Sequence, residues 1–298
     1  MSRYLVTGAA GFIGSHLCEA LERAGHEPVA LDCFTAYYDP ALKEQNVAGR
    51  PVVRADLTEA ALDPLLEGVD GVFHLAGQPG VRSFGDVFEV YLRRNLLASQ
   101  RLFEAAARAG VRVVFASSSS VYGEAEGYPT REDALPRPIS PYGITKLGCE
   151  HLARACAVAF GLDAVTLRYF TVYGPRQRPD MAFTRILTAL AQGSPFELFG
   201  DGSASRGFTF VADAVAATVA AMERGEAGAV YNVGGGAEAT MREAIAACER
   251  VSGRTLDLHL RPSAKGDVSR TAADAGLPAE RRADPARVGR GARDVALG

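Results

Sequence analysis

The sequence predicts an α/β protein: a doubly wound parallel sheet with a smaller lobe appended at its C-terminal end. Three observations predict it. Short β-rich runs alternate with helical patterns through the first two-thirds of the chain. A glycine-punctuated stretch, TGAAGFIGSHL at residues 7–17, stands between the first of those strands and the first helix. The rhythm then breaks after about residue 170. Strands alternating with helices imply βαβ units, a parallel sheet, and ligands bound beyond the carboxyl ends of the strands.

The elements follow in order. Strands are expected at Arg3–Val6, Glu27–Leu31, Val52–Arg54, Gly71–Leu75, Val111–Ala116 and Ala164–Arg168, each a short apolar run. In the first helix Phe12, Ile13, His16, Leu17, Ala20 and Leu21 share one face at helical spacing, and Gly25 stops it. Beyond residue 170, VYGPRQRPDMAF carries two prolines and three charges and reads as a loop. PFELFG, GFTFV, AVYNVGG and LDLHL read as further strands, with helices near Asp213–Met222 and Met241–Ser252. Some of these late elements are expected to return to the first sheet. The stretch Ala272–Gly298 has few large apolar residues and no amphipathic period, so it is expected to be loosely held.

Bulk properties set the outer limits. The 298 residues can bury a large core. A hydrophobic share of 48% with 22% charge is ordinary for a globular chain. A net charge of −3 argues against nucleic acid as a partner. Five cysteines form no CxxC pair, and the chain enters a strand within its first residues, leaving no room for a secretory leader. No run approaches the ~18 apolar residues of a spanning helix. These readings together predict reduced thiols, a cytoplasmic location and no membrane partner.

The glycine stretch carries the first chemistry. Gly8, Gly11 and Gly14 form GxxGxxG after a strand and at the mouth of an amphipathic helix. One glycine permits a tight turn, one lets backbone approach a pyrophosphate, and one lets helix and strand pack closely. The helix N-terminus offers free N–H groups and a positive dipole end to phosphates. Asp32 ends the second strand about 20 residues on, where a carboxylate accepts from both adenosine ribose hydroxyls and repels a 2′-phosphate. The pattern therefore predicts a Rossmann-type sheet binding NAD rather than NADP. Asp56, after the third strand, can reach the adenine amino group, and small Ala76 and Gly77 let backbone pass close to the cofactor. His74 reads as a satisfied core histidine. Asn95 is either a buried structural amide or a hydrogen-bonding group toward the cofactor.

A second constellation is YGITK, which puts Tyr142 and Lys146 four apart and on one face of a helix. An ammonium beside a phenol favours the ionised phenol, a usable general base. SSSS at residues 117–120 closes the fifth strand, where the sheet presents ligand groups. A serine there can hydrogen-bond the same substrate hydroxyl, and others of the run can cap a turn.

Together TGAAGFIGSHL, SSSSVYG, YGITK, RYFTVYGPRQRPD and GDVSRTAAD resemble the extended short-chain dehydrogenase/reductase family, specifically its nucleotide-sugar epimerases and dehydratases, over residues 3–270. The resemblance implies residues 1–170 as an NAD-binding domain, with returning elements near 208–235, and residues 171–298 mainly as a UDP-sugar lobe. It implies Ser118, Tyr142 and Lys146 as the catalytic triad, with Lys146 also holding the nicotinamide ribose. It adds Phe12, Ile13, Lys43, Leu57, Leu75 and Tyr169 to the cofactor contacts. The 4,6-dehydratases that it resembles follow the catalytic residue with an Asp-Glu pair; here those positions are Ser119 and Ser120. Decarboxylating relatives usually carry Glu at the position of Ser120. Reversible oxidation at C4 remains, so epimerisation is expected.

The stretches RYFTVYGPRQRPDMAF, TAYYDPALK and GQPGVRS with Arg82 resemble UDP-glucuronate 4-epimerases. By that resemblance Ser119, Ser120 and Thr171 form a hydroxyl cluster for the sugar carboxylate, or else contact a hydroxymethyl group or backbone. Arg178, Arg206 and Asp267 embrace the UDP. The same reaction on UDP-glucose and UDP-galactose, or relaxed specificity, is the nearest alternative; a net sugar reductase and a non-catalytic NAD-binding regulator are more distant. Relatives often pair through the YxxxK helix and the one before it. Leu96, Leu97, Leu102, Phe103, Leu147 and Leu152 would permit such a homodimer, and core packing explains them equally well. The tail AGLPAERRADPARVGRGARDVALG departs from the family pattern.

Overall fold

A computed structural model describes residues 1–81, 85–263 and 266–274; the side chain of Asp86 is not among them. The first βαβ unit is β1 (Arg3–Thr7), α1 (Phe12–Arg23) and β2 (Glu27–Asp32). α2 (Pro40–Asn46) leads to β3 (Val52–Arg54), and α3 (Asp63–Leu66) to β4 (Gly71–His74). α4 (Phe88–Tyr91) passes through a π-helical segment, Leu92–Leu97, into α5 (Ala98–Ala109) and then β5 (Arg112–Ser118). A 3-10 turn, Ser119–Val121, follows, then α6 (Pro141–Phe160) and β6 (Ala164–Tyr169).

The remaining elements are β7 (Thr171–Tyr173), α7 (Ala182–Gln192), β8 (Phe196–Phe199), β9 (Ser205–Phe210), α8 (Val211–Arg224) and β10 (Val230–Val233). β11 (Glu238–Thr240), α9 (Met241–Ser252), β12 (Leu258–Arg261) and β13 (Arg270–Thr271) complete the described chain.

Seven strands pair in the order β10-β6-β5-β4-β1-β2-β3. All are parallel. The order reverses between β1 and β4, so a crevice opens beyond their carboxyl ends. Strands buried on both faces need continuous apolar runs. β4 is buried throughout, and so is β6. One core lies against α5 and α6, with Leu102, Phe103 and Phe115 fully buried; the other lies against α1 and α8, around Val6, Leu17 and Leu167. A third cluster, Ile186, Leu190, Phe196, Leu198 and Ile245, holds the smaller lobe together.

Several expectations are adjusted. β5 runs two residues further than predicted, so Ser117 and Ser118 lie in the strand and Ser119 and Ser120 in the turn. The segment read as a loop after residue 170 opens with β7 and closes at α7, whose apolar face packs on α9. The late return to the large sheet is made by α8 and β10; β9 instead pairs with β7, β11 and β13. Leu102 and Phe103 are core residues at 0% exposure, so they offer nothing to a partner, whereas Leu97 stays 43% exposed. Ala272 and Asp274, expected to be loose, are engaged: the Thr130 N–H donates to the Ala272 carbonyl (2.7 Å) and the Asp274 N–H to the Thr130 carbonyl (2.9 Å). The rest of that expectation, residues 275–298, lies outside the described residues. No helix among the described residues is long and apolar enough to cross a membrane.

Candidate active site

The glycine loop is built by steric exclusion. Gly8 has φ +72°, and a Cβ there would stand 2.8 Å from the Ala76 nitrogen. A Cβ on Gly14 would stand 2.2 Å from the Gly8 carbonyl oxygen, so only glycine lets α1 begin so close to the turn. Gly11 caps α1 without a side chain, and no acidic residue occupies the first turn. The N–H groups there keep their positive field for an anion.

Asp32 stands at the carboxyl end of β2. Its Oδ2 accepts from the Ala10 N–H (3.2 Å) and its Oδ1 from the Phe34 N–H (2.7 Å). Two backbone donors fix the carboxylate in place and leave lone pairs for a diol. Asp56 Oδ1 accepts from the Thr58 N–H (2.8 Å) and hydroxyl (2.7 Å). Burial pushes the Asp56 carboxyl up, and the Thr58 bonds with the Arg94 charge outweigh it to bring it below its ordinary value. Lys43 Nζ donates to the Thr35 carbonyl and hydroxyl, both at 3.0 Å. Burial pulls the Lys43 ammonium below its ordinary range, against the Asp32 charge.

The loop after β4 is held by a buried chain. The Ala76 N–H donates to Thr7 Oγ1 (3.2 Å), which is also hydrogen-bonded to His74 Nδ1 (2.8 Å). The other ring nitrogen, Nε2, is hydrogen-bonded to Ser99 Oγ (2.9 Å), so both nitrogens are satisfied. Burial drives the imidazole pKa down to about 3, so it is neutral. His74 is the satisfied core histidine expected.

Asn95 does not face the cleft, which corrects the cofactor-side reading. It is 1% exposed, its Oδ1 accepts from the Gln78 N–H (2.7 Å), and its Nδ2 donates to the Gln78 carbonyl (3.2 Å) and Thr145 Oγ1 (3.0 Å). The π segment turns two consecutive residues toward this loop: Arg94 Nη1 donates to Gln78 Oε1 (3.0 Å) and Arg94 itself lines the cleft.

Tyr142 and Lys146 lie in the first turns of α6, which Ser140 caps by accepting from the Gly143 N–H (3.1 Å). A Cβ on Gly143 would stand 2.4 Å from the Ser120 carbonyl, so glycine lets the helix start abut the serine turn. Lys146 is 4% exposed, and its Nζ donates to the Ala116 carbonyl (2.8 Å) and lies 6.0 Å from the Tyr142 ring centre. Tyr142 is half-buried, its ring 6.4 Å from that of Tyr91, and among the described residues no protein group hydrogen-bonds its hydroxyl. Ser118 Oγ accepts from the Ser120 N–H and donates to Ser120 Oγ, each at 3.1 Å.

One cleft joins these groups. It is lined by Gly8, Gly11, Phe12, Ile13, Gly14, Asp32, Lys43, Asp56, Leu57, Leu75, Ala76, Gly77, Tyr169, Ser118, Tyr142, Lys146 and Arg178. Arg178 forms a two-pronged pair with Asp180 (3.0 Å at each contact), and Tyr37 donates to the same carboxylate (3.2 Å). Ser119, Ser120 and Thr171 stand beside the cleft without lining it. Arg206 does not line the cleft: its guanidinium donates to the Val268 (2.8 Å) and Ser205 (2.8 Å) carbonyls and ties the segment after Asp267 to β9. Asp267 does not line the cleft either. Arg82 lies outside the described residues. Tyr37, Tyr38, Cys33, Arg94, Phe170 and Met181 line the cleft and were not anticipated. Tyr37 and Tyr38 sit in TAYYDPALK, a stretch the resemblance had marked; Arg94 carries no local signal, because a π turn is invisible in sequence.

A glycine cradle that Cβ atoms would fill, a fixed carboxylate at the end of β2, and a tyrosine–lysine pair at the same cleft fit a dinucleotide and a hydroxyl-bearing substrate. The model of the NAD dependent epimerase/dehydratase family matches residues 4–234. The chain belongs to that family. Within it, the chain is 43% identical over 282 residues to a protein of Bacillus subtilis (strain 168) described as the uncharacterized UDP-glucose epimerase YtcB, spanning 91% of this chain and 89% of the relative. The UDP-glucuronic acid 4-epimerase of Bacillus cereus, in a crystal structure with UDP-glucuronic acid and NAD, is 41% identical with a TM-score of 0.88, covering 91% of this chain and 90% of that one. MoeE5, in a structure with UDP-glucuronic acid and NAD, is 45% identical with a TM-score of 0.82, covering 91% of this chain and 89% of that one; a second MoeE5 structure holds UDP-glucose and NAD. The epimerase/dehydratase fold of this chain is thus the Rossmann-type α/β fold expected from its glycine loop.

Proposed function

We propose that the protein is an NAD-dependent 4-epimerase of a UDP-sugar, converting UDP-glucuronate to UDP-galacturonate. The observation that carries this reading is the Tyr142 hydroxyl, free of protein partners among the described residues and facing the same cleft as the glycine loop, with Lys146 one turn behind it. The likeness to UDP-glucuronic acid 4-epimerase supports the choice of sugar.

Gly8, Gly11 and Gly14 with the start of α1 would hold the pyrophosphate of NAD, and Asp32 its adenosine ribose. NAD supplies a reversible hydride acceptor at the sugar C4. Tyr142, as phenolate, takes the C4 hydroxyl proton. Lys146 stands one turn behind it with its ammonium 6.0 Å from the ring centre, and Ser118 would donate a hydrogen bond to the same sugar oxygen. The resulting 4-keto sugar turns over while the nucleotide stays anchored, and Tyr142 returns the proton after reduction on the opposite face. Ser119, Ser120 and Thr171 are neutral donors near this point, suited to hold a carboxylate without promoting loss of CO2. Arg178, which lines the cleft in a two-pronged pair with Asp180, would meet the diphosphate, because a guanidinium can bind two oxygens.

A second reading, relaxed specificity toward neutral sugars, is favoured by MoeE5, which is in complex with UDP-glucuronic acid in one structure and with UDP-glucose in another. We also infer a homodimer, since Leu97 (43% exposed) and Ile144 (50% exposed) lie on the helices that would pair. The test of function is incubation of purified protein and NAD with UDP-glucuronate and, in parallel, UDP-glucose, with products identified by NMR. Galacturonate with CO2 retained is expected, and Tyr142→Phe should abolish it while still binding UDP. Net consumption of a reduced cofactor, or a product without its carboxylate, would overturn the reading.

A further inference from the structure

A buried ion pair lies directly beneath the candidate site and faces no part of the cleft. Glu150 is on α6, one turn beyond Lys146 and two beyond Tyr142, so all three side chains share a helix face. Its carboxylate receives Arg168 Nε (3.0 Å) and Nη2 (2.7 Å) from β6. The two side chains are only 8% and 7% exposed. The Ser117 hydroxyl donates to the same carboxylate. Arg168 Nη1 donates to the Tyr122 phenol oxygen (2.8 Å) and to the Glu132 carbonyl (3.1 Å), and Tyr122 donates on to Asn232 Oδ1 (2.8 Å).

Ser117 immediately precedes Ser118, and Tyr122 immediately follows the turn Ser119–Val121. The pair therefore grips both ends of the segment that carries the serine hydroxyls. It grips them from the helix that carries Tyr142 and Lys146. Lys146 already ties α6 to Ala116; Glu150 repeats the tie one turn on and one residue further along β5. An ion pair this deep adds little stability over an apolar pair, because desolvation cancels most of its attraction. Its two-pronged geometry, by contrast, fixes distance and angle at once.

We propose that Glu150 and Arg168 are positioning residues that set the Ser118 hydroxyl against Tyr142 and Lys146. The proposal rests on the catalytic reading of those three residues. A misplacement of about 1 Å at a reacting group can cost on the order of 100-fold in rate.

The test uses Ser117→Ala, which cuts the tie to β5 and leaves the ion pair, and the double variant Glu150→Leu/Arg168→Met, which replaces the pair by apolar groups. Melting temperature, NAD affinity, kcat and KM for the UDP-sugar, and amide exchange over residues 117–122 are measured. Both variants should keep NAD affinity and KM within about twofold of the unmodified protein while kcat falls by about tenfold or more. Exchange over 117–122 should quicken while that of β1 and β4 stays the same. If the double variant does not fold, Ser117→Ala decides alone. Unchanged kcat with unchanged exchange at 117–122 overturns the proposal. Should the unmodified protein turn over no UDP-sugar, the functional reading fails, and the exchange experiment still decides whether the pair holds the serine segment.

Discussion

His74 offers a quantitative test of how the floor of the dinucleotide cleft is built. It is fully buried, bonded through both ring nitrogens, and its pKa is held down to about 3 against an ordinary 6.5. The unfolded chain takes up a proton on this imidazole below pH 6.5, whereas the folded chain refuses it until about pH 3. The contribution of neutral His74 to stability is therefore fully present above pH 6.5 and is lost as the pH falls toward 3. Each pH unit inside that window removes about 1.4 kcal/mol, so roughly 3 kcal/mol goes between pH 7.5 and 4.5. Other groups titrate over the same range, so the informative quantity is a difference. Urea unfolding of the unmodified protein and of His74→Gln, measured at matched ionic strength from pH 7.5 to 4.5, isolates it. The stability gap between the two should shift by about 3 kcal/mol against the unmodified protein on acidification. Parallel pH profiles would show that the folded protein accommodates an imidazolium at this site, and the Thr7–His74–Ser99 chain as drawn would be wrong.

Further outcomes follow from the same geometry. Gly14→Ala puts a Cβ 2.2 Å from the Gly8 carbonyl, so NAD affinity by calorimetry should fall by at least about tenfold with little change in far-UV circular dichroism. Asp32→Asn keeps an oxygen for only one of the Ala10 and Phe34 N–H groups, and it removes the charge at the end of β2. The ratio of NADP to NAD affinity should rise by about tenfold, and an unchanged ratio would remove Asp32 from cofactor selection. Ser118→Ala should lower kcat by about 100-fold with KM little altered, as expected for a hydrogen bond that matters at the reacting oxygen; equal losses in binding would assign Ser118 to substrate anchoring instead.

The parts of the site that were legible are those made by neighbours in the chain. The glycine loop and Asp56 follow strand ends closely and Asp32 is itself the last residue of β2, so periodicity and spacing locate them. Tyr142 and Lys146 are one turn apart on a single helix and need no tertiary information. Where separate segments meet, local signals fell short. Asn95 read equally well as a cofactor contact, and only the π turn shows that its amide is engaged by Gln78 and Thr145. Arg206 matched a position that embraces UDP, and only the folded chain shows its Nη1 and Nη2 also donating to the Ser205 and Val268 carbonyls. α7 was hidden because the prolines and charges before it mask an apolar face that becomes meaningful only against α9.

By itself the sequence determined the sheet and helix alternation, the anion-binding turn and the tyrosine–lysine pair, because hydrophobic period, glycine sterics and helical spacing act over a few residues. The tertiary structure alone decided which face Asn95 presents, that β9 leaves the large sheet to pair with β7, β11 and β13, and that Glu150 meets Arg168 and Ser117. Those outcomes depend on how distant segments share buried space, where each polar group must find a partner and no local pattern says which one.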